Sequence, residues 1–97
     1  MTEHTITLGL QIIPKSNKVD TYELVDQAIH VIIQSGVPYT ITPFETVMEG
    51  SYDQLMGIAH SAQQAVLDHG ADECLVYFRI HYRKTGDVTF AEKRLDR

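Results

Sequence analysis

At 97 residues the chain has the length of one domain, residues 1–97, because single domains run from roughly 50 to 250 residues. Its 43% hydrophobic and 22% charged composition excludes the disordered and fibrous classes. Thirteen acidic against 8 basic residues give a net charge of −5, which argues against a nucleic-acid binder that draws affinity from Lys and Arg.

Ile6, Leu8, Leu10 and Ile12 alternate with Thr5, Thr7, Gly9 and Gln11, a period of two that predicts a strand buried on one face and ended by Pro14. After the polar Lys15-Ser16-Asn17-Lys18 loop, Val19, Tyr22, Val25, Ile29, Ile32 and Ile33 recur at helical spacing. Asp20 or Thr21 caps that helix, Gly36 terminates it, and Pro38 blocks continuation. Tyr39–Thr42 and Thr46–Glu49 read as two short strands of a hairpin turning at Pro43-Phe44-Glu45. Ser51 then caps a second helix carrying Leu55, Ile58, Ala59, Ala62, Ala65 and Val66, closed by Gly70. Cys74, Val76, Phe78, Ile80 and Tyr82 alternate along a last long strand, and Val88 to Arg97 reads as either a short strand or a final helical turn.

The predicted order is strand, helix, strand, strand, helix, strand. It fits an α+β, ferredoxin-like βαββαβ sandwich, a four-stranded antiparallel sheet with two helices on one face. The sets Ile6/Leu8/Leu10/Ile12 and Cys74/Val76/Phe78/Ile80 then face the helices. The opposite face carries Thr5, Thr7, Gly9, Gln11 and Ile13, with Leu75, Tyr77, Arg79, His81 and Arg83. The hairpin adds either Thr46 and Met48 or Val47 and Glu49, because a one-residue slip flips every side chain. Such a face receives a flat ligand or packs on another copy.

No catalytic constellation emerges. Ser16, Ser35, Ser51 and Ser61 occupy loops, caps and helices, and none stands in a Gly-x-Ser-x-Gly elbow. Cys74, the single cysteine, lies in the inward set and reads as a small hydrophobe. His4, His30, His60, His69 and His81 form no His-Glu-x-x-His motif, so no metal is expected. The chain is expected not to be an enzyme and to need no cofactor. Its N-terminus lacks the basic and apolar regions of a signal peptide, and no stretch approaches the roughly 20 apolar residues of a membrane span. A cytoplasmic location with no membrane partner is the expectation.

Four stretches go further. They are the strand ending Ile12-Ile13-Pro14, the helix end Ile33-Gln34-Ser35-Gly36-Val37-Pro38-Tyr39, the block Pro43-Phe44-Glu45-Thr46-Val47-Met48-Glu49-Gly50, and Ile80-His81-Tyr82-Arg83 followed by Glu92-Lys93. With them, nearly the whole chain resembles the thiamine-binding protein family, which includes hydroxymethylpyrimidine/thiamine-binding proteins of bacteria. The resemblance implies the ferredoxin-like fold, self-association through the sheet into homodimers or homotetramers, and binding without turnover, for sequestration or delivery. It implies that Thr46 and Glu49 supply the donor and acceptor for an aminopyrimidine. Tyr77 stacks on a ring or faces the cation. Gln11, Arg79 and His81 complete the expected ligand set on the sheet face. His81 stands where the family leads one to expect an acid, and with Arg79 it points to pH-dependent binding or to preference for the uncharged pyrimidine. The alternative is a protein–protein interaction module whose sheet face is filled by its own copy.

Overall fold

The computed structural model describes residues 4–94. β1 (Thr5–Lys15) is followed by α1 (Thr21–Gln34), the short strands β2 (Tyr39–Ile41) and β3 (Thr46–Ser51), α2 (Tyr52–Asp68), β4 (Glu73–His81) and one 3-10 turn, Ala91–Lys93. The sheet order is β2-β3-β1-β4 with every pair antiparallel. The architecture is the expected α+β ferredoxin-like one.

Local chemistry sets the helix ends. The Asp20 carboxylate accepts from the Tyr22 and Glu23 N–H groups at 3.0 and 3.3 Å, so Asp20, not Thr21, caps α1. The Ser51 hydroxyl accepts from Gln54 N–H at the start of α2. Gly36 leaves α1 at φ 83°, a left-handed conformation that only glycine adopts without strain. His69, the last cap residue of α2, meets Glu23 in the first turn of α1 at 2.8 Å, so the helices run antiparallel.

The core lies between the helices and one sheet face. Ile6, Leu8, Leu10 and Met48 come from the sheet, Leu24, Ala28 and Ile32 from α1, and Leu55, Ala59, Ala62 and Val66 from α2. Each large member contributes about 1.5–3 kcal/mol through burial. Ala59 and Ala62, both fully buried, keep α2 close to its neighbours.

Three expectations need correction. Of the predicted α1 set Ile32 is core and Val19 packs against it, but the buried stripe is Leu24/Ala28/Ile32, whereas Tyr22 is 79% exposed and Ile33 is also exposed. α1 is apolar around much of its circumference, and α2 packs against the Leu24 side. β1 also does not stop at Pro14 but runs to Lys15. Beyond Leu10 it has β4 on one side and no strand on the other, an edge where a missing N–H costs no ladder bond. Lastly, Phe78 and Ile80 share the helix-side register with Leu10 and Leu8 yet stay more than a third exposed, because β4 is an edge strand that the helices only partly cover.

Candidate functional site

Two concavities flank the β1–β3 pair, and the first follows from where the β3 pairing ends. Its last partner on β1 is Leu10, opposite Thr46, while β1 continues five residues further beside β4. The Lys15 carbonyl accepts from Asp72 N–H, just before β4, at 2.8 Å. Peptide groups alternate along a strand, so odd-numbered residues of β1 face β4 and even-numbered ones face the other edge. The N–H and C=O of Ile12 therefore turn toward an edge with no strand partner, and Pro14 sits on that same edge without an N–H to lose.

A cleft of about 200 Å³ occupies this gap. Tyr22, Val25 and Ile29 of α1 form one wall, and Ile41, Phe44 and Thr46 of the hairpin form the other. Tyr22, Val25 and Ile29, which the periodicity assigned to the core, are thus the wall of a cleft. The hairpin tip is held by Thr42, whose hydroxyl accepts from the N–H groups of Phe44 and Glu45 at 3.2 and 2.9 Å and donates to the Glu45 carbonyl at 2.6 Å. This local network presents Phe44, 69% exposed, at the cleft mouth.

The second concavity, about 170 Å³, lies on the sheet face away from the helices and is lined by Thr7, Gly9, Glu45, Val47, Arg79, Ile80, His81 and Lys93. Gly9 stands between Val47 and Arg79, and Thr7 between Glu49 and His81. Arg79 Nη1 donates to Glu45 Oε2 at 3.3 Å, and Lys93 Nζ lies 2.7 Å from His81 Nδ1. Lys93 can only donate, so Nδ1 accepts and the N–H of the neutral ring is on Nε2. The Thr7 hydroxyl is buried and has no hydrogen-bond partner among the described residues.

The C-terminal segment crosses back to this end of the sheet. Val88 N–H donates to the Thr5 carbonyl at 2.9 Å, and Thr5 N–H to Asp87 Oδ1 at 2.8 Å, leaving Val88 fully buried. Arg83 clasps both carboxylate oxygens of Glu92. That guanidinium, helped by the Thr89 N–H, holds the Glu92 carboxyl down to about 2, and the same pairing raises Arg83. The tail is therefore a loop and one 3-10 turn; residues 95–97 of it lie outside the described residues.

The six residues expected to bind ligand are divided between these places. Thr46, 8% exposed, faces the helices and lines the cleft; Gln11 also lines the cleft, although its position on β1 belongs to the open-face set. Arg79 and His81 meet in the open-face depression. Glu49 lies on the open face opposite Thr7, and Tyr77 opposite Gln11; neither lines the cleft or the depression. Thr46 and Glu49 are three residues apart on one strand, so they point to opposite faces. Tyr22, Phe44 and Glu45, together with Thr7, Gly9 and Lys93, escaped the sequence reading as site residues. Of these only Glu45 lines both concavities. Among the described residues no cluster of three His, Cys, Asp or Glu side chains can hold a metal, and no helix is long and apolar enough to cross a membrane.

The family model described as thiamine-binding protein matches residues 8–96. The chain belongs to the thiamine-binding protein family. A UPF0045 protein of Clostridium perfringens is 37% identical over 89 residues, 92% of this chain and 93% of that protein. Among solved structures, a domain of unknown function from Bacillus cereus is 40% identical with a TM-score of 0.92, covering 94% of this chain and 88% of the other. A Thermotoga maritima protein provisionally named for thiamine biosynthesis or salvage shares the fold, with a TM-score of 0.82 at 24% identity over 92% of this chain and 94% of its own. Membership of the thiamine-binding family agrees with the layout of helices, hairpin and sheet described above.

Proposed function

We propose that this protein binds thiamine or a related hydroxymethylpyrimidine without transforming it, and that the pyrimidine enters the cleft between α1 and the β2–β3 hairpin. The observation that carries this reading is the unpartnered edge of Ile12 in an apolar cleft of about 200 Å³. A 4-aminopyrimidine presents a donor and an acceptor side by side, the complement of a strand residue's own C=O and N–H. The walls suit a flat heteroaromatic ring, with the aromatic side chains of Tyr22 and Phe44 beside it. Thr46 supplies a hydroxyl for the hydroxymethyl group. Glu45 is already held by Arg79, so the pyrimidine rather than the cationic thiazolium is the principal determinant. The family name and the provisional naming of the Thermotoga relative support this choice of ligand.

The same chain is proposed to associate with a copy of itself through the open sheet face, where Leu75 and Tyr77 are 45% and 55% exposed. A two-dimensional amide NMR titration tests the ligand site: hydroxymethylpyrimidine shifts the amides of Ile12, Phe44 and Thr46, and Thr46→Val with Phe44→Ala weakens binding about tenfold or more. Shifts confined to β4, or unchanged affinity in that double variant, would remove the cleft from consideration.

A further inference from the structure

The hairpin tip that walls the cleft is fastened across the sheet rather than along it. β2 is three residues long, all of them exposed, and it pairs with β3 alone. The β1–β3 ladder ends at Leu10 and Thr46, so residues 42–45 project past its last rung. Their backbone closes on itself: the Thr42 N–H and hydroxyl both donate to the Glu45 carbonyl, and the Glu45 N–H donates back to that hydroxyl. Among the described residues, the hydrogen bond that joins this tip to β1 or β4 is the one Arg79 donates to the Glu45 carboxylate.

To reach Arg79, the Glu45 side chain passes over β1 at Gly9. Gly9 has no left-handed backbone that would call for glycine. The close approach does call for it, because a β-carbon at Gly9 would strike the carboxylate. Arg79 stands directly opposite Gly9 on β4, so hairpin tip, glycine and arginine lie in line across three strands. The crossing draws the Glu45 side chain down to 20% exposure, while that of Arg79 remains 76% exposed. An ion pair this open adds little to global stability. Its effect falls instead on the segment it fastens. Glu45 is locked to Thr42 through its backbone, and Phe44 lies between them at the cleft mouth.

We propose that Glu45, passing over Gly9 to Arg79, is a tether that positions the hairpin tip, and Phe44 with it, against a ligand in the cleft. The inference rests on the cleft reading given above. Glu45 and Arg79 are positioning residues, acting through Phe44 and the tip backbone. A wall already held in place loses less freedom when ligand binds and opens less often afterwards, so the tether slows ligand escape.

The test has a ligand-free arm and a ligand arm, both on the whole chain. Backbone nitrogen relaxation of the free protein should show residues 44 and 45 more mobile in Arg79→Gln and in Glu45→Gln, with Leu8 and Leu24 unchanged. NMR exchange with hydroxymethylpyrimidine should show dissociation about threefold faster or more in Arg79→Gln, with association within about twofold of wild type. Arg79→Lys keeps the charge and should stay within about twofold of wild type in both rates. Gly9→Ala should reproduce the Arg79→Gln rates, and the two changes together should add nothing further. Arg79 is a surface residue, so its variants report even if Gly9→Ala does not fold. Equal tip mobility in wild type and Arg79→Gln would overturn the tether, as would ligand binding with an unchanged dissociation rate. No saturable binding by the wild type would overturn the cleft reading, and the positioning role with it, whatever the relaxation shows.

Discussion

The carboxylate of Glu45 lies across the backbone of Gly9: a methyl group placed on Gly9 would fall 2.6 Å from Glu45 Oε1. The contact joins the hairpin tip to β1, and from there Glu45 reaches Arg79 on β4. The obstacle is the end of a flexible side chain, not backbone. Gly9→Ala is therefore expected to evict the carboxylate rather than break the strand. Alanine is favoured over glycine inside a strand by roughly 0.5–1 kcal/mol, which offsets loss of a surface ion pair worth about 0–1 kcal/mol. Chemical denaturation should show Gly9→Ala within about 1 kcal/mol of wild type. In the same variant Arg79→Ala should have no additional effect through Glu45, so a double-mutant cycle with Glu45→Gln loses its coupling.

The two apolar stripes of α1 make opposite predictions. Leu24 is fully buried between the helices and the sheet, so Leu24→Ala should cost about 2–5 kcal/mol in urea unfolding. Tyr22 is 79% exposed, and Tyr22→Ala should change stability by less than about 0.5 kcal/mol while weakening ligand binding. Equal costs at the two positions would mean that α1 is rotated from the placement described here.

How far the fold was legible depends on where periodicity had one solution. The alternation in Ile6, Leu8 and Leu10 has one, and those residues are buried together. In α1 it had two, since Tyr22/Val25/Ile29/Ile33 and Leu24/Ala28/Ile32 are both apolar stripes, and only packing against α2 separates them. The hairpin's register was open from sequence, but strand parity alone already forbade Thr46 and Glu49 from sharing a face. The cleft could not be read at all, because it exists only where the β1–β3 pairing ends, at Leu10 and Thr46, while β1 runs on beside β4. Glu45 was placed in a turn, and nothing local indicates that its side chain crosses a glycine of another strand.

The C-terminal segment carries a pH signature. Glu92 is depressed from the ordinary carboxylate value to about 2 by Arg83 and the Thr89 N–H. A depressed folded-state value stabilises above the unfolded one, near about 4.3, and that contribution is lost as pH falls through about 2. Amide exchange at Val88 reports the segment directly, because its N–H is bonded to Thr5. Glu92→Gln should accelerate that exchange near neutral pH, and the difference from wild type should vanish as the pH approaches about 2.

Self-association through the open face makes a separate prediction. Replacing Leu75 and Tyr77, both exposed on β4, by Ser and Gln should shift any dimer or tetramer seen by light scattering toward monomer. The helices and their core, on the other face, should keep the circular dichroism spectrum unchanged. An oligomer that survives this double change would place the interface elsewhere.

The most direct measurement is calorimetric titration of the whole chain with hydroxymethylpyrimidine, with thiamine, and with the pyrimidine lacking its 4-amino group. Saturable binding of the first two within about tenfold of each other, with the des-amino compound weaker by about tenfold or more, is the expected result if Ile12's free edge recognises the ring. No saturable heat from a folded protein with either aminopyrimidine, or equal binding of the des-amino compound, would contradict it.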